Sequence, residues 1–373
     1  MIIDSHAYCF PPGDDPAGYS TTEERLAWLQ ISQGLHHQPA WRVRDRAPAS
    51  SDGLGEETPS DWSNLPDVNF RIDNDRGRVV WTIDGEDHTK QFFPPNLRNL
   101  AFSPHSLIAE MDYNNVDMAL LHTNPMLGRD SAYLAKCVHT YPNRLRAMAP
   151  VDEWRILSDT DAVISEVTTA IQTHGLHAIK FNTRPAYSQS PEPWDDGNYR
   201  PFWQAVSTLN VPIFFTLGAG PGTAAGATTG PKYQAGYLEE QQTLIAWMNR
   251  YPHLTCSLTH GFPWRIFLEN DRIILPNEVW LPFENPNVNL EVCFPVRIGD
   301  LFDYPYPQIW PTLEQMVERI GANRLLWGTD MPFQNRFCTY RQSRAWIEKY
   351  CTFLSKEDLN WIMGGTAKRI LDI

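Results

Sequence analysis

Basic residues are scarce: 31 Lys and Arg stand against 44 Asp and Glu, a formal net charge of −13. That balance works against an electrostatic grip on phosphate backbones or anionic lipid, so neither nucleic acid nor a membrane surface is an expected partner. Long apolar runs are missing as well. Stretches such as Val211 to Ala219 fall far short of the roughly 20 residues a membrane-spanning helix needs, and Met1-Ile2-Ile3-Asp4 carries no basic leader segment; a cytoplasmic protein is expected. The six cysteines (Cys9, Cys137, Cys256, Cys293, Cys338, Cys351) include no C-x-x-C pair and no disulfide framework, which predicts free thiols in a reducing compartment. No G-x-G-x-x-G follows the first β-like run. The glycine-rich stretch Gly218-Ala219-Gly220-Pro221-Gly222, with Gly226 and Gly230, lacks the lysine and hydroxyl residue of a nucleotide P-loop and reads as a loop or a cover over a site.

What the chain has is a folded composition, 42% hydrophobic and 20% charged, with 14 tryptophans and 30 prolines in 373 residues. Eight β-like runs occur: Ile2–His6, Val116–Thr123, Leu145–Val151, Leu176–Phe181, Val211–Leu217, Leu254–His260, Val288–Cys293 and Leu325–Asp330. Between them lie seven stretches with apolar residues at helical spacing: Ser106–Asn115, Ser131–Tyr141, Asp159–His174, Pro201–Leu209, Glu239–Arg250, Pro311–Ile320 and Gln342–Tyr350. Strands and helices in alternation predict an α/β chain closed into a parallel (β/α)8 barrel, with a doubly wound open sheet as the rival.

The first strand is parted from the second by about a hundred residues of another character. The barrel is expected from residues 1–11 and 101–373, and residues 12–100 form an inserted segment. Within it, Thr21–Gln33 suits a helix capped by Thr21 or Thr22. Residues 39–67 read as a long loop, and Arg78–Ile83 and Asp87–Phe93 flank a hairpin turn at Asp84-Gly85-Glu86. An insertion at this point emerges on the barrel face that carries active sites. Its Trp28, Trp41, Trp62, Trp81, Phe92 and Phe93 suggest a lid or a contact surface, and hence a homo-oligomer or a hetero-oligomer.

In a barrel the C-terminal ends of the strands converge. These ends carry Asp4 to Tyr8, His122, Lys180, Thr216, His260, Glu291 and Asp330. Imidazoles and carboxylates brought together are the ligand types of a divalent metal. His6, His260 and Asp330 stand out because each ends an apolar run and is followed by small or chain-breaking residues. The His36-His37 pair lies in the insertion, before Pro39, and is not expected to bind metal, and His177 should face away from Lys180's side of its strand.

Met1-Ile2-Ile3-Asp4-Ser5-His6, Tyr141-Pro142-Asn143-Arg144-Leu145, His260-Gly261, Leu325-Leu326-Trp327-Gly328-Thr329-Asp330-Met331-Pro332 and the closing Gly365-Thr366-Ala367 together resemble the amidohydrolase superfamily. The branch they resemble contains aminocarboxymuconate semialdehyde decarboxylase and the resorcylate-type decarboxylases. The resemblance spans the chain except roughly residues 12 to 100. It implies a barrel holding one or two divalent metals and acting on a small carboxylic acid by decarboxylation or hydrolysis. It also implies His6 as a first-strand ligand, Asp330 as the last-strand ligand or base, and His260 as a histidine that acts on substrate or binds metal. The predicted ligand set is His6, His260, Glu291 and Asp330, with His260 and Asp330 as the catalytic groups.

Two positions depart from that family. Tyr8 stands where a second first-strand histidine is usual, and Thr216 where the fifth strand usually ends in histidine. Tyr8, His122 or Lys180 can complete a rearranged site, Lys180 occupying the place of a metal-bridging lysine in some superfamily members. Zinc is the first expectation, with iron or manganese favoured if oxygen ligands dominate. The altered site and the aromatic insertion also keep open a second reading. In it the chain is one subunit of a hetero-oligomeric oxygenase, similar to the amidohydrolase-like pairs that hydroxylate α-aminoisobutyrate, with the redox metal mainly in a homologous partner chain.

Overall fold

The computed structural model describes residues 1–55, 64–188, 190–220 and 230–373. Eight parallel strands follow one another round a single sheet in chain order: β1 (Ile3–Ala7), β2 (Met118–Leu121), β3 (Leu145–Ala149), β4 (Ala178–Asn182), β5 (Ile213–Thr216), β6 (Cys256–Leu258), β7 (Val288–Val292) and β8 (Leu325–Trp327). The end of β8 returns to β1, where the Asp330 amide donates to the His6 carbonyl at 2.7 Å and the Tyr8 amide to the Met331 carbonyl at 2.8 Å. The sheet therefore closes into a (β/α)8 barrel, and the open-sheet rival is excluded.

Burial on both faces explains the composition of the strands. A parallel sheet wrapped by helices leaves no wet side, and all four residues of β2, Met-Ala-Leu-Leu, are buried. The helices outside show one apolar stripe each. Thr160–Gln172 turns Val163, Val167 and Ala170 inward, at the i, i+4, i+7 spacing of a single face. Helix Ser131–Thr140 starts at Asp130, whose carboxylate accepts the Ala132 and Tyr133 amides. Side chains two apart share a strand face, so Leu120, Ala178 and Phe214 lie directly beneath His122, Lys180 and Thr216. These apolar residues pack with the closing helix Thr366–Leu371 and seal that end of the barrel.

The insertion is more ordered than the sequence suggests. Its helix runs Thr22–Leu35, with the Thr21 hydroxyl accepting the Glu24 amide. The expected loop after residue 39 instead contributes Ala40–Arg42 and Pro48–Ala49 to a five-stranded antiparallel sheet with Glu86–Lys90, Arg78–Ile83 and Arg71–Asp73. Strands of two or three residues are too short to show alternation, which is why the pattern reads as loop. The Lys90 ammonium fixes this sheet to the helix, donating to the carbonyls of Gln33 and His36 at 2.6 and 2.7 Å.

The insertion's aromatic rings are used inside the chain. Trp81 is buried, Trp28 packs on Trp154 of the barrel with centroids 4.2 Å apart, and Phe92 and Phe93 lie 5.1 and 5.6 Å from Phe333 just after β8. These four rings are therefore not an exposed contact surface: Trp28, Phe92 and Phe93 pack on residues of the barrel, and Trp81 stacks on His88 within the inserted sheet. Trp62 and most of the glycine-rich stretch after β5 lie outside the described residues. No described helix is long and apolar enough to cross a membrane, and all six cysteines are buried free thiols.

Candidate metal centre

His6 stands at the centre of the convergent strand ends, fully buried. Its Nδ1 lies 2.8 Å from Oε2 of Glu291 at the end of β7. A carboxylate oxygen only accepts, so Nδ1 carries the proton and Nε2 is turned to the opposite side. There it meets Asp330 Oδ1 at 3.1 Å and the Tyr8 hydroxyl at 2.9 Å. His260 Nε2 lies 3.4 Å from the same Asp330 oxygen. On the sealed side, the His122 ring stacks on His6 with centroids 3.5 Å apart, and its Nε2 donates to the Ser5 carbonyl at 2.8 Å while lying 3.5 Å from Glu291 Oε1. Two buried atoms here have no hydrogen-bond partner, Glu291 Oε1 and His122 Nδ1.

The backbone is bent to make this convergence. His260 and Asp330 both adopt left-handed conformations, with φ of 64° and 65°, uncommon for residues with a side chain and costly unless the surroundings fix them. Glu291 helps at the first, its Oε2 accepting the His260 amide at 2.8 Å. Asp4 helps at the second: its carboxylate accepts the Thr329 amide and hydroxyl and the Tyr340 hydroxyl, locking the segment before Asp330 against β1. Gly328 allows the approach, since a Cβ there would meet Ser5 Oγ at 2.9 Å and His6 Cβ at 3.0 Å.

The charges follow from this geometry. Burial alone would lower the pKa of His6, but the flanking Glu291 and Asp330 raise it to about 9. Burial acts to raise the pKa of Asp330, and the hydrogen bonds and charges of His260 and His6 overcome it, holding the acid well below the usual carboxylate range. His260 is pushed down to about 4 by burial and by the His6 charge, and His122 also falls well below its ordinary value, by burial first and then by His6 and Lys180. Burial raises the Tyr8 phenol far above its usual range. The Lys180 ammonium is lowered to about 8 by burial and donates to Thr259 Oγ1 at 2.9 Å, whose hydroxyl is also paired with Thr216 at 2.7 Å.

The strand-end residues thus fall into groups. His6, His260 and Asp330 place ligand atoms within 4.8 Å of one another, and His6, His122 and Glu291 do the same on the buried side. Tyr8 stands with the first group. Lys180 and Thr216 are engaged with Thr259. His36 and His37 stack on each other in the insertion, with His36 against Phe92. Sequence reasoning missed Asp4 as the lock on Thr329. It also missed Glu153, whose Oε1 accepts the Asn182 amide and side chain at 2.6 and 3.0 Å and whose pKa burial raises to about 8. An acidic residue inside an otherwise apolar strand, as in Ile2-Ile3-Asp4, was the available signal for the lock.

The amidohydrolase family profile matches residues 91–373, which include β2 to β8 with His260, Glu291 and Asp330. The chain belongs to the amidohydrolase family. Within it, a γ-resorcylate decarboxylase from Rhizobium sp. is 24% identical over 217 residues, covering 52% of this amidohydrolase and 62% of that relative, so the chain spans less than two thirds of the relative's length. The crystal structure of a 2,6-dihydroxybenzoate decarboxylase complexed with 2,6-dihydroxybenzoate superposes with a TM-score of 0.55 at 21% identity, over 76% of this chain and 93% of that one. A dihydroxybenzoic acid decarboxylase from Polaromonas sp., with bound manganese and 2-nitroresorcinol, gives a TM-score of 0.54 at 21% identity, over 74% and 89%. At such identities these structures establish a shared fold.

Proposed function

We propose that this amidohydrolase holds one divalent cation between His6, His260 and Asp330 and acts on a small carboxylic acid, with decarboxylation of a hydroxylated aromatic acid as the reaction. The convergence of His6 Nε2, His260 Nε2 and Asp330 Oδ1 at the barrel mouth carries this reading. The donor chemistry fits a cation: two imidazole nitrogens and a carboxylate oxygen, with Nδ1 of His6 already committed to a carboxylate, the support that metal-binding histidines usually have. Tyr8 supplies an oxygen atom where the family more often has nitrogen and Asp330 adds another oxygen, and together with the manganese of the Polaromonas relative this favours manganese over zinc. On this reading Glu291 supports His6 and His260 and does not join Asp330 in the ligand set.

A bound divalent cation supplies Lewis-acid polarisation of a substrate oxygen. The chain does the rest. Asp330 and His260 keep 12% and 16% of their side-chain surface exposed, whereas His6, His122 and Glu291 keep none. Substrate therefore meets the Asp330–His260 edge. Decarboxylation requires a proton at the ring carbon that loses CO2, and the second oxygen of Asp330, which is not assigned to the cation, is the atom on this edge suited to deliver it.

Metal analysis of purified protein, combined with an assay for resorcinol released from 2,6-dihydroxybenzoate, tests the proposal. Near-stoichiometric metal and turnover abolished by Asp330→Asn are expected. Metal-free protein that cannot be loaded, or turnover indifferent to Asp330, overturns it. The oxygenase-subunit alternative has no support in the family match or in the site geometry.

A further inference from the structure

Arg336 closes the short turn Phe333–Arg336 after β8, six residues beyond Asp330 and on the same face of the barrel. Its guanidinium lies over the rings of Phe92 and Phe337, 5.3 and 4.9 Å from their centroids, and its Nε donates to the Phe333 carbonyl at 3.0 Å. These contacts fix the plane of the group. Nη1, however, is buried and meets no acceptor, and among the described residues no carboxylate lies within ion-pair distance of Arg336. Other arginines of the chain differ: Arg265 is paired with Asp300, and Arg129 with Asp152 and Glu166. The acids whose fields reach Arg336 are Asp330 and Asp300, while Arg297 repels it; burial lowers its pKa only to about 10, so it remains a cation at neutral pH.

A guanidinium that is largely withdrawn from water and lacks an anion is costly to keep, and its planar fork matches a carboxylate with two parallel hydrogen bonds. Arg336 lies within the electrostatic reach of Asp330, which with His260 is the edge of the candidate centre that retains exposure among the described site residues, and this suggests the side from which an anion arrives. We infer that Arg336 anchors the carboxylate of the substrate at the barrel mouth, a specificity role that rests on the function proposed above. In the reaction Ar–CO2⁻ + H⁺ → Ar–H + CO2, the C–C bond breaks, its electron pair stays on the ring carbon and the proton is added there. The product then has no charge for Arg336 to hold, which favours its release.

Calorimetric titration of wild type, Arg336→Met and Arg336→Lys with 2,6-dihydroxybenzoate, benzoate, succinate and neutral resorcinol tests the anchor. At least one carboxylate should bind wild type and lose roughly 30-fold or more in Arg336→Met, with a smaller loss in Arg336→Lys, which keeps the charge without the fork. Resorcinol affinity, metal content and the circular dichroism spectrum should not change. If Arg336→Met does not fold, Arg336→Lys carries the comparison. Equal carboxylate affinity in wild type and variant, or a wild type that binds none of the three acids, overturns the inference. The two proposals separate cleanly. Turnover with unchanged KM in Arg336→Met removes the anchor and leaves the decarboxylase. Arg336-dependent binding without any turnover of 2,6-dihydroxybenzoate leaves the anchor and removes that substrate.

Discussion

The Nδ1 edge of His6 meets Glu291 in a setting with no exposed side chain, whereas its Nε2 edge meets Asp330 and His260, which both keep some contact with solvent. The residue types on the two edges are similar, each offering a carboxylate and a second imidazole. Their partners differ. On the sealed edge one atom of each group is occupied by the others or by backbone, Glu291 Oε2 by His6 and the His260 amide and His122 Nε2 by the Ser5 carbonyl, while Glu291 Oε1 and His122 Nδ1 have no hydrogen-bond partner. On the open edge the close contacts run between ligand-type atoms, which a cation could take over. Donor identity alone therefore does not locate a metal centre; the remaining bonds of each donor do.

The largest effect that would test this contrast is metal occupancy. His6→Ala and Asp330→Ala should lose nearly all bound metal by elemental analysis, while His122→Ala keeps close to one ion per chain. Loss in His122→Ala equal to that in Asp330→Ala would move the centre to the sealed edge. Next, Glu291→Gln should weaken metal binding by roughly 10–100-fold without abolishing it, as expected for a residue that orients a ligand; a chelator competition titration measures this, and complete loss would make Glu291 a ligand. Gly328→Ala should cost about 1–3 kcal/mol in urea unfolding, because the added methyl group meets Ser5 and the His6 side chain that sits between the two edges. An unchanged midpoint would show that β1 and β8 have slack.

The smallest effect concerns pH. Glu153, buried just after β3 and bonded to Asn182 at the C-terminal end of β4, keeps its proton up to about pH 8 in the folded chain but ionises near 4.5 when unfolded. The folded state thus binds more protons between these values, and stability should fall as pH rises through that window. Glu153→Gln should flatten this portion of the stability profile by at most a few kcal/mol. A wild-type profile already flat from pH 5 to 8 would show that Glu153 is ionised in the fold.

The barrel was legible because its signal repeats eight times: a short apolar run, a breaker, an amphipathic stretch. His6, His260 and Asp330 were legible because each terminates such a run, and strand ends meet whatever their distance in sequence. The support around them was not. That Glu291 bonds to His6 Nδ1 rather than joining Asp330 depends on which edge of a ring faces which carboxylate, and no residue spacing encodes that. Arg336 is informative through the partner it lacks, which only packing reveals. The small sheet at Ala40–Arg42 and Pro48–Ala49 escaped for another reason: its strands are held by the longer pair Arg78–Ile83 and Glu86–Lys90, so their own residues carry little of the preference.

The Asp4–Thr329 lock joins residues 325 positions apart. At a synthesis rate of roughly 5–20 residues per second, about 15–65 s separate the two halves of that bond on the ribosome. Throughout that interval His6 exists without Asp330, and the first strand has no last strand to close against. A nascent chain therefore passes through a long period in which its earliest strand is exposed and its donor set is incomplete. On the function proposed above, cation uptake between His6, His260 and Asp330 would be a late event, coupled to ring closure and timed by the slow non-local pairing of the first and last strands.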